Sequence, residues 1–257
     1  MNPDFSGQVA VITGGAGGIG RALGRALEAA GAKVLAADLA GQDIFPCDVA
    51  DPAAIAALAD HAWDRFGRVD LLINNAGIGG GGKPLPDMPL ADARRIMEVN
   101  FWGVWHGCAT FAPRLAVQDH PSAIYNVASE NALFCAVKRS AAYIASKHAV
   151  LGLTESLRED LPPHVHAGTI IPGWVGTEIN PAAIRDLAMD ADRFAAIVLP
   201  QIAARERFVV SHAYNPVRMH ERIAALDEAY ARHAPRYPGD DEYDVRSFIA
   251  RQRARQG

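Results

Sequence analysis

VAVITGGAGGIGRALGRALEAAGAKVLAAD, Val9 to Asp38, changes its period twice within one short stretch. Val9 to Thr13 is an apolar, β-rich run too short for a helix, and it leads straight into TGGAGGIG, Thr13 to Gly20. From Ile19 the apolar residues Ile19, Leu23, Ala26, Leu27 and Ala30 recur at helical spacing, and Gly31 stands where a helix often ends in a left-handed residue. A second apolar run, Val34 to Ala37, stops at Asp38. Strand, glycine loop, helix and strand make a βαβ unit.

The alternation continues outward. Strands are expected at 44–47, 69–73, 123–127, 165–171 and 208–211. Helices are expected at 52–66, 90–117, 141–161 and 216–233. Strands alternating with helices imply a parallel sheet covered on both faces. No repeat, low-complexity tract or linker marks a boundary, so residues 1–257 read as a single domain, with a helical insertion over 178–206 and a helical tail over 212–257.

Glycines between a first strand and a first helix let the backbone turn tightly and approach a pyrophosphate. The phosphate charge then meets free N–H groups and the positive end of the helix dipole. Gly14, Gly18, Ile19 and Gly20 are the candidate contacts. Asp38 ends the next strand 18 residues past Gly20, close to the spacing of the dinucleotide fingerprint. A carboxylate there accepts hydrogen bonds from both ribose hydroxyls and repels a 2′-phosphate, which favours NAD over NADP. A second glycine group, Gly77 and Gly79 to Gly82, reads either as a pliable rim of a substrate cleft or as a flexible connection.

Three further features fall at the ends of later strands, the edge where open α/β sheets bind ligands. Ser129 follows AIYNVAS, Asn100 lies in EVNFWG, and Tyr143 and Lys147 lie four apart in YIASK, on one helix face. An ammonium beside a phenol favours phenolate and lowers its pKa toward working pH, which makes a usable general acid/base. The serine hydroxyl can hold a substrate oxygen.

In order and approximate spacing, TGGAGGIG, NNAG (Asn74–Gly77), the Asn100 segment, Ser129, YIASK and PGWVGT (Pro172–Thr177) resemble the ordinary branch of the short-chain dehydrogenase/reductase family over about residues 7 to 180. The resemblance implies a Rossmann-type doubly wound α/β/α fold, NAD(P)-dependent hydride transfer at CH–OH groups and a homo-oligomer, dimer or tetramer, built on the long helices either side of Ser129. Tyr143 would exchange a proton with the substrate oxygen and Ser129 would orient that oxygen. Lys147 would bind the nicotinamide ribose and depress the tyrosine pKa, and Asn100 would hold a water of the proton relay. Asp48 and Val49 would flank the adenine. Asn75, with Ala76 and Gly77, would hold the loop over the cofactor. Pro172, Gly173, Val175 and Thr177 would line its carboxamide end. Three departures stand out. Only nine residues separate Asp38 from Asp48, too few for the family's usual helix, and Ser129 precedes Tyr143 by 14. RFVVSHAYNPVRMHERIAALDEAY replaces the commoner glycine-rich ending, and it is locally similar to bacterial dehydrogenases of lignin-derived aryl ether alcohols.

The remaining composition narrows the partners. With 25 Lys plus Arg against 29 Asp plus Glu and no long basic block, neither nucleic acid nor a membrane surface is an expected partner. Cys47, Cys108 and Cys135 form no disulfide framework or metal pair, and no apolar run reaches the roughly 18 residues of a spanning helix; a cytoplasmic protein fits. His164 and His166 share a strand face without a third ligand at metal spacing, so no metal is expected. His148 and His212 read as helix-surface and strand-end residues. Leu133, Phe134, Trp174 and Ile179 suggest an apolar pocket, and Lys138 and Arg139 read as a solvated helix start. The expected activity is NAD-dependent interconversion of a hydrophobic secondary alcohol, aryl-substituted ones included, and its ketone. The alternatives are an NADP-linked carbonyl reductase and a catalytically silent, nucleotide-sensing regulatory protein.

Overall fold

The computed structural model of the chain describes residues 3–80 and 82–256. Its contacts divide it into a unit that ends at Ala213 and a second that starts at Tyr214. The first contains, in chain order, β1 (Val9–Thr13), α1 (Gly18–Ala29), β2 (Lys33–Asp38), β3 (Phe45–Pro46), α2 (Pro52–Phe66), β4 (Leu71–Asn74), α3 (Leu90–Met97), α4 (Gly103–Ala116), β5 (Ser122–Val127), α5 (Ala141–Asp160), β6 (Val165–Ile171), α6 (Ala182–Arg185), α7 (Ala191–Ala203) and β7 (Phe208–Val210). All pairings are parallel, in the order β3-β2-β1-β4-β5-β6-β7. This is the expected doubly wound α/β/α sheet of Rossmann type. β3 follows β2 without an intervening helix, as the nine-residue spacing requires.

The order follows from burial. Strands β1, β4 and β5 are buried at every position, so each must be covered on both faces. One core holds Ile55, Leu58, Phe111, Leu115 and Val150 from α2, α4 and α5. The other holds Leu23, Leu27, Phe194, Val198 and Ile202 from α1 and α7. The segment 178–206 is therefore only partly rim, because α7 covers the sheet beside α1. Local chemistry sets α2: the Asp51 carboxylate accepts the Ala53 N–H at 2.9 Å, Pro52 opens the first turn, and Gly67 closes the last at φ +75°.

Two features depart from the periodicity. The pattern over 90–117 reads as one helical run, but Glu98–Trp102 forms a π-helical turn between α3 and α4. The second unit holds α8 (Asn215–His233), close to the helix expected at 216–233, and α9 (Val245–Gln256), for which the periodicity gave no separate helix. No helix among the described residues is long and apolar enough to cross a membrane.

Candidate active site

Parallel strands deliver the loops after β1, β4, β5 and β6 to one edge of the sheet, and hydrogen bonds join them there. The Thr13 hydroxyl accepts the N–H groups of Asn75 at 3.0 Å and Ala76 at 3.2 Å. The Asn75 amide donates to the carbonyls of Thr13 and Gly14, each at 3.0 Å. Asn75 thus ties its own loop to the end of β1. Thr13 does so equally and escaped sequence reasoning, because its partners lie about sixty positions away and a strand-end threonine carries no local signal.

The glycine loop fits a pyrophosphate. Gly14 takes φ +65°, and a Cβ there would stand 2.7 Å from the Ala76 Cα. One on Gly20 would overlap the Gly14 carbonyl oxygen. Helix α1 starts behind Gly17 without a side-chain cap or an acid in its first turn, among the described residues, so its N–H groups and dipole face an anion unopposed by any cap. Asp38 reaches in from the end of β2: one carboxylate oxygen accepts the Ala16 N–H at 3.0 Å, the other the Leu39 N–H at 2.8 Å. On the far side Asp48 accepts the Ala50 N–H at 3.0 Å and lies 3.8 Å from Arg95. Val49 is buried against Gly103.

Ser129 is buried at the end of β5 and its hydroxyl accepts the Asn131 N–H at 3.1 Å. Helix α5 brings Tyr143 beside it, near enough for the serine hydroxyl to act on the phenol. Burial pushes the Tyr143 phenol above its ordinary value; the Ser129 hydroxyl pulls it down, and the Glu130 carboxylate adds to the rise. This corrects the expectation of a lysine-depressed phenol. Lys147, itself buried, donates to the Val127 carbonyl at 2.9 Å, with its Nζ 5.7 Å from the centre of the Tyr143 ring. Desolvation brings the ammonium down to about 8.

Asn100 stands beside this pair but its carboxamide is committed. It accepts the Ile78 N–H at 2.8 Å, and donates to the Ile78 carbonyl at 3.0 Å and the Ser146 hydroxyl at 3.2 Å. Ser146 donates in turn to the Tyr143 carbonyl at 2.7 Å. The side chain expected to hold a water therefore ties the 75–80 loop to α5, and the π turn in which it sits marks where two helices are bent to serve the site. A Cβ on Gly77 would lie 3.4 Å from the Asn100 Oδ1 and 3.6 Å from the Lys147 Nζ, so Gly77 is packed between them.

The segment Pro172–Thr177 closes the site from β6. The Pro172 carbonyl accepts the Glu130 N–H at 2.8 Å. Gly173 packs on the His212 ring, whose Nδ1 accepts the Gly173 N–H at 3.2 Å while Nε2 faces the Trp174 carbonyl at 3.2 Å. His212 is thus more than a strand-end residue: it clamps this turn. Val175 bridges to Met189, and Thr177 is buried with its side chain against Gly18. The second glycine group is a packed wall. A Cβ on Gly80 would lie 2.8 Å from the Tyr143 Cβ, and one on Gly79 would lie 3.1 Å from the Ile179 Cγ2. Gly81 lies outside the described residues. Trp174, Ile179, Ile184 and Leu187 expose apolar surface, and Lys138 and Arg139 are exposed.

The glycine loop, the buried Lys147 and the Ser129–Tyr143 pair stand at one edge of the sheet, and known proteins share this fold and sequence pattern. The pattern of the short chain dehydrogenase family matches residues 8–188. A 1-deoxy-11-beta-hydroxypentalenate dehydrogenase of Streptomyces arenae is 32% identical over 266 residues, covering 93% of each chain. A short chain dehydrogenase/reductase from Burkholderia phymatum, solved in complex with NAD, superposes with a TM-score of 0.80 at 30% identity, covering 91% of this chain and 98% of that one. One from Burkholderia cenocepacia J2315, solved with NADP, superposes with 0.74 at 30% identity, covering 90% and 99%. The chain belongs to the short chain dehydrogenases, enzymes that act on CH–OH groups with a nicotinamide cofactor.

Proposed function

We propose that the chain is an NAD-dependent dehydrogenase of hydrophobic secondary alcohols, acting in reverse as a ketone reductase. The observation that carries this reading is the grouping of Ser129, Tyr143 and Lys147 at the end of β5, on the sheet edge that also carries the glycine loop. Gly14, Gly18, Ile19 and Gly20 would hold the pyrophosphate, Asp38 the adenosine ribose, Asp48 and Val49 the adenine, and Lys147 the nicotinamide ribose. Asn75, Ala76 and Gly77 would flank the cofactor, and Pro172, Gly173, Val175 and Thr177 its carboxamide end. The nicotinamide, when bound, accepts hydride from the carbinol carbon or supplies it to the carbonyl carbon.

The protein's own part is positioning and proton transfer. Ser129 holds the substrate oxygen while Tyr143 exchanges a proton with it. With its phenol held above the ordinary value, Tyr143 keeps its proton at neutral pH and is ready to give it to a ketone oxygen; alcohol oxidation needs that proton removed and gains as pH rises. Apolar side chains exposed at the rim, Trp174, Ile179, Ile184 and Leu187, support a hydrophobic substrate. The hydroxypentalenate dehydrogenase of Streptomyces arenae is named for a hydroxyl-bearing substrate of the same kind.

Asp38 supports NAD by charge, since its carboxylate stands at the loop with Leu39 beside it instead of a cation. A homo-oligomer is supported by an aromatic surface at the start of α4, where Trp102, the last residue of the π turn, and Trp105 meet edge to face at 5.7 Å and remain 40% and 45% exposed. A reducing compartment such as the cytoplasm suits three unpaired cysteines.

Tyr143→Phe tests the assignment. It should leave NADH binding nearly intact and lower turnover with NAD, over a panel of aromatic and alicyclic secondary alcohols, by about a thousandfold or more. Wild-type turnover in this variant removes Tyr143 from the chemistry. Tighter binding of NADPH than NADH in the parent protein removes the role given to Asp38.

A further inference from the structure

Both glycine groups are covered by three consecutive residues of the segment after Val175. Thr177 lies against Gly18, with its Cγ2 3.0 Å from where a Cβ of that glycine would stand. Ile179 lies against Gly79. Between them, the Glu178 carboxylate stands over the start of α1. Its Oε2 is 3.3 Å from the Cβ position of Gly17 and 3.2 Å from that of Gly18, and its Oε1 lies 4.0 Å from Arg21 in the first turn of the helix. The side chain is 61% exposed, so the ion pair is loose and the residue is not anchored by burial.

A carboxylate at a helix N-terminus is stabilised by the same N–H groups and dipole that stabilise a phosphate. Granted the cofactor reading above, on which this inference rests, we propose that Glu178 is a resident anion of the pyrophosphate cradle. A dinucleotide must displace it or accept its charge as a neighbour, so Glu178 sets how tightly phosphate-bearing ligands bind. Removal of the charge then strengthens binding, the reverse of what truncating a contact residue does. Ile179 gives the displacement a path to the substrate side, because a movement of Glu178 moves the next residue off Gly79. Sequence reading could not find this, since the residue after a strand-end turn carries no sign of where its side chain falls.

The test is binding, read without turnover. In Glu178→Gln, NADH titrated by its own fluorescence and ADP titrated calorimetrically should each bind about fivefold tighter at low ionic strength, the gain narrowing at high salt. Adenosine, which has no phosphate, should bind both proteins alike. Glu178→Lys should tighten ADP further. Unchanged or weaker ADP binding in Glu178→Gln overturns the proposal and leaves the cofactor assignment standing, as does an equal gain for adenosine. Failure of the parent protein to bind NADH or ADP at all sinks the cofactor reading and this inference with it.

Discussion

The chain carries two glycine-rich loops at the same edge of the same sheet, and they need glycine for different reasons. In Thr13–Gly20 the missing side chains let main chain approach main chain: Gly14 lies on Ala76, Gly20 on the Gly14 carbonyl, and the first N–H groups of α1 are left facing outward. Between Gly77 and Gly80 the missing side chains let a loop approach side chains that do or flank the chemistry: Gly77 meets Asn100 and Lys147, Gly79 meets Ile179, and Gly80 meets Tyr143. The first loop is shaped toward a ligand. The second is shaped toward the protein's own side chains, those of α5 among them. A glycine cluster therefore says that something comes close, and only its neighbours say what.

Gly20→Ala should separate the two most sharply, by the largest effect. The added Cβ overlaps a backbone oxygen and stands 2.5 Å from the Asn75 amide nitrogen, and no rotamer change relieves a clash with main chain. The loop must open, with loss of the Asn75 hydrogen bonds to Thr13 and Gly14. We expect about 3 kcal/mol of lost stability in thermal unfolding and NADH binding weakened about a hundredfold. Near-native binding in this variant would mean that the first loop tolerates side chains and is not shaped by close approach.

Gly80→Ala strikes the other loop. Its Cβ would meet the Tyr143 Cβ at 2.8 Å and the Ser140 Cβ at 3.4 Å, and the Tyr143 Cβ moves only if α5 moves. A shift of a few tenths of an ångström at the tyrosine is enough to lower turnover by about ten- to a hundredfold, because proton transfer is sensitive to distance. NADH affinity should change less than about twofold, since the phosphate cradle is not touched. Steady-state kcat measured beside an NADH titration gives both numbers, and a parallel fall in the two would erase the distinction between the loops.

What could be read from the sequence divides along the same line, local against long-range. The βαβ start, the helix at 52–66 and the alternation of strands with helices follow from periodicity and turn chemistry within a few residues, and the structure has them. Lys147 could be put on the face of Tyr143 by its spacing of four. That its ammonium turns to the Val127 carbonyl instead depends on where β5 ends under α5. The π turn at Asn100 interrupts an unbroken helical pattern because its carboxamide bonds Ile78, 22 residues earlier, a contact with no local sign. Helix α9, with the sequence VRSFIARQRARQ, was hidden by its own composition, since four arginines and two glutamines leave too few apolar positions to show a period.

The smallest effect belongs to Gly82, and it marks where the second loop stops being a wall. Gly82 takes φ +65°, its N–H donates to the Gly80 carbonyl at 2.5 Å, and a Cβ there meets nothing within 4 Å. Only the backbone asks for glycine at this position. Gly82→Ala should then cost about 1 kcal/mol of stability, the penalty of a left-handed alanine, with kcat and KM unchanged for every alcohol that the enzyme oxidises. If KM rises for bulky alcohols alone, the space beside Gly82 belongs to the substrate, and the loop faces a ligand at its tip as the first loop does along its length.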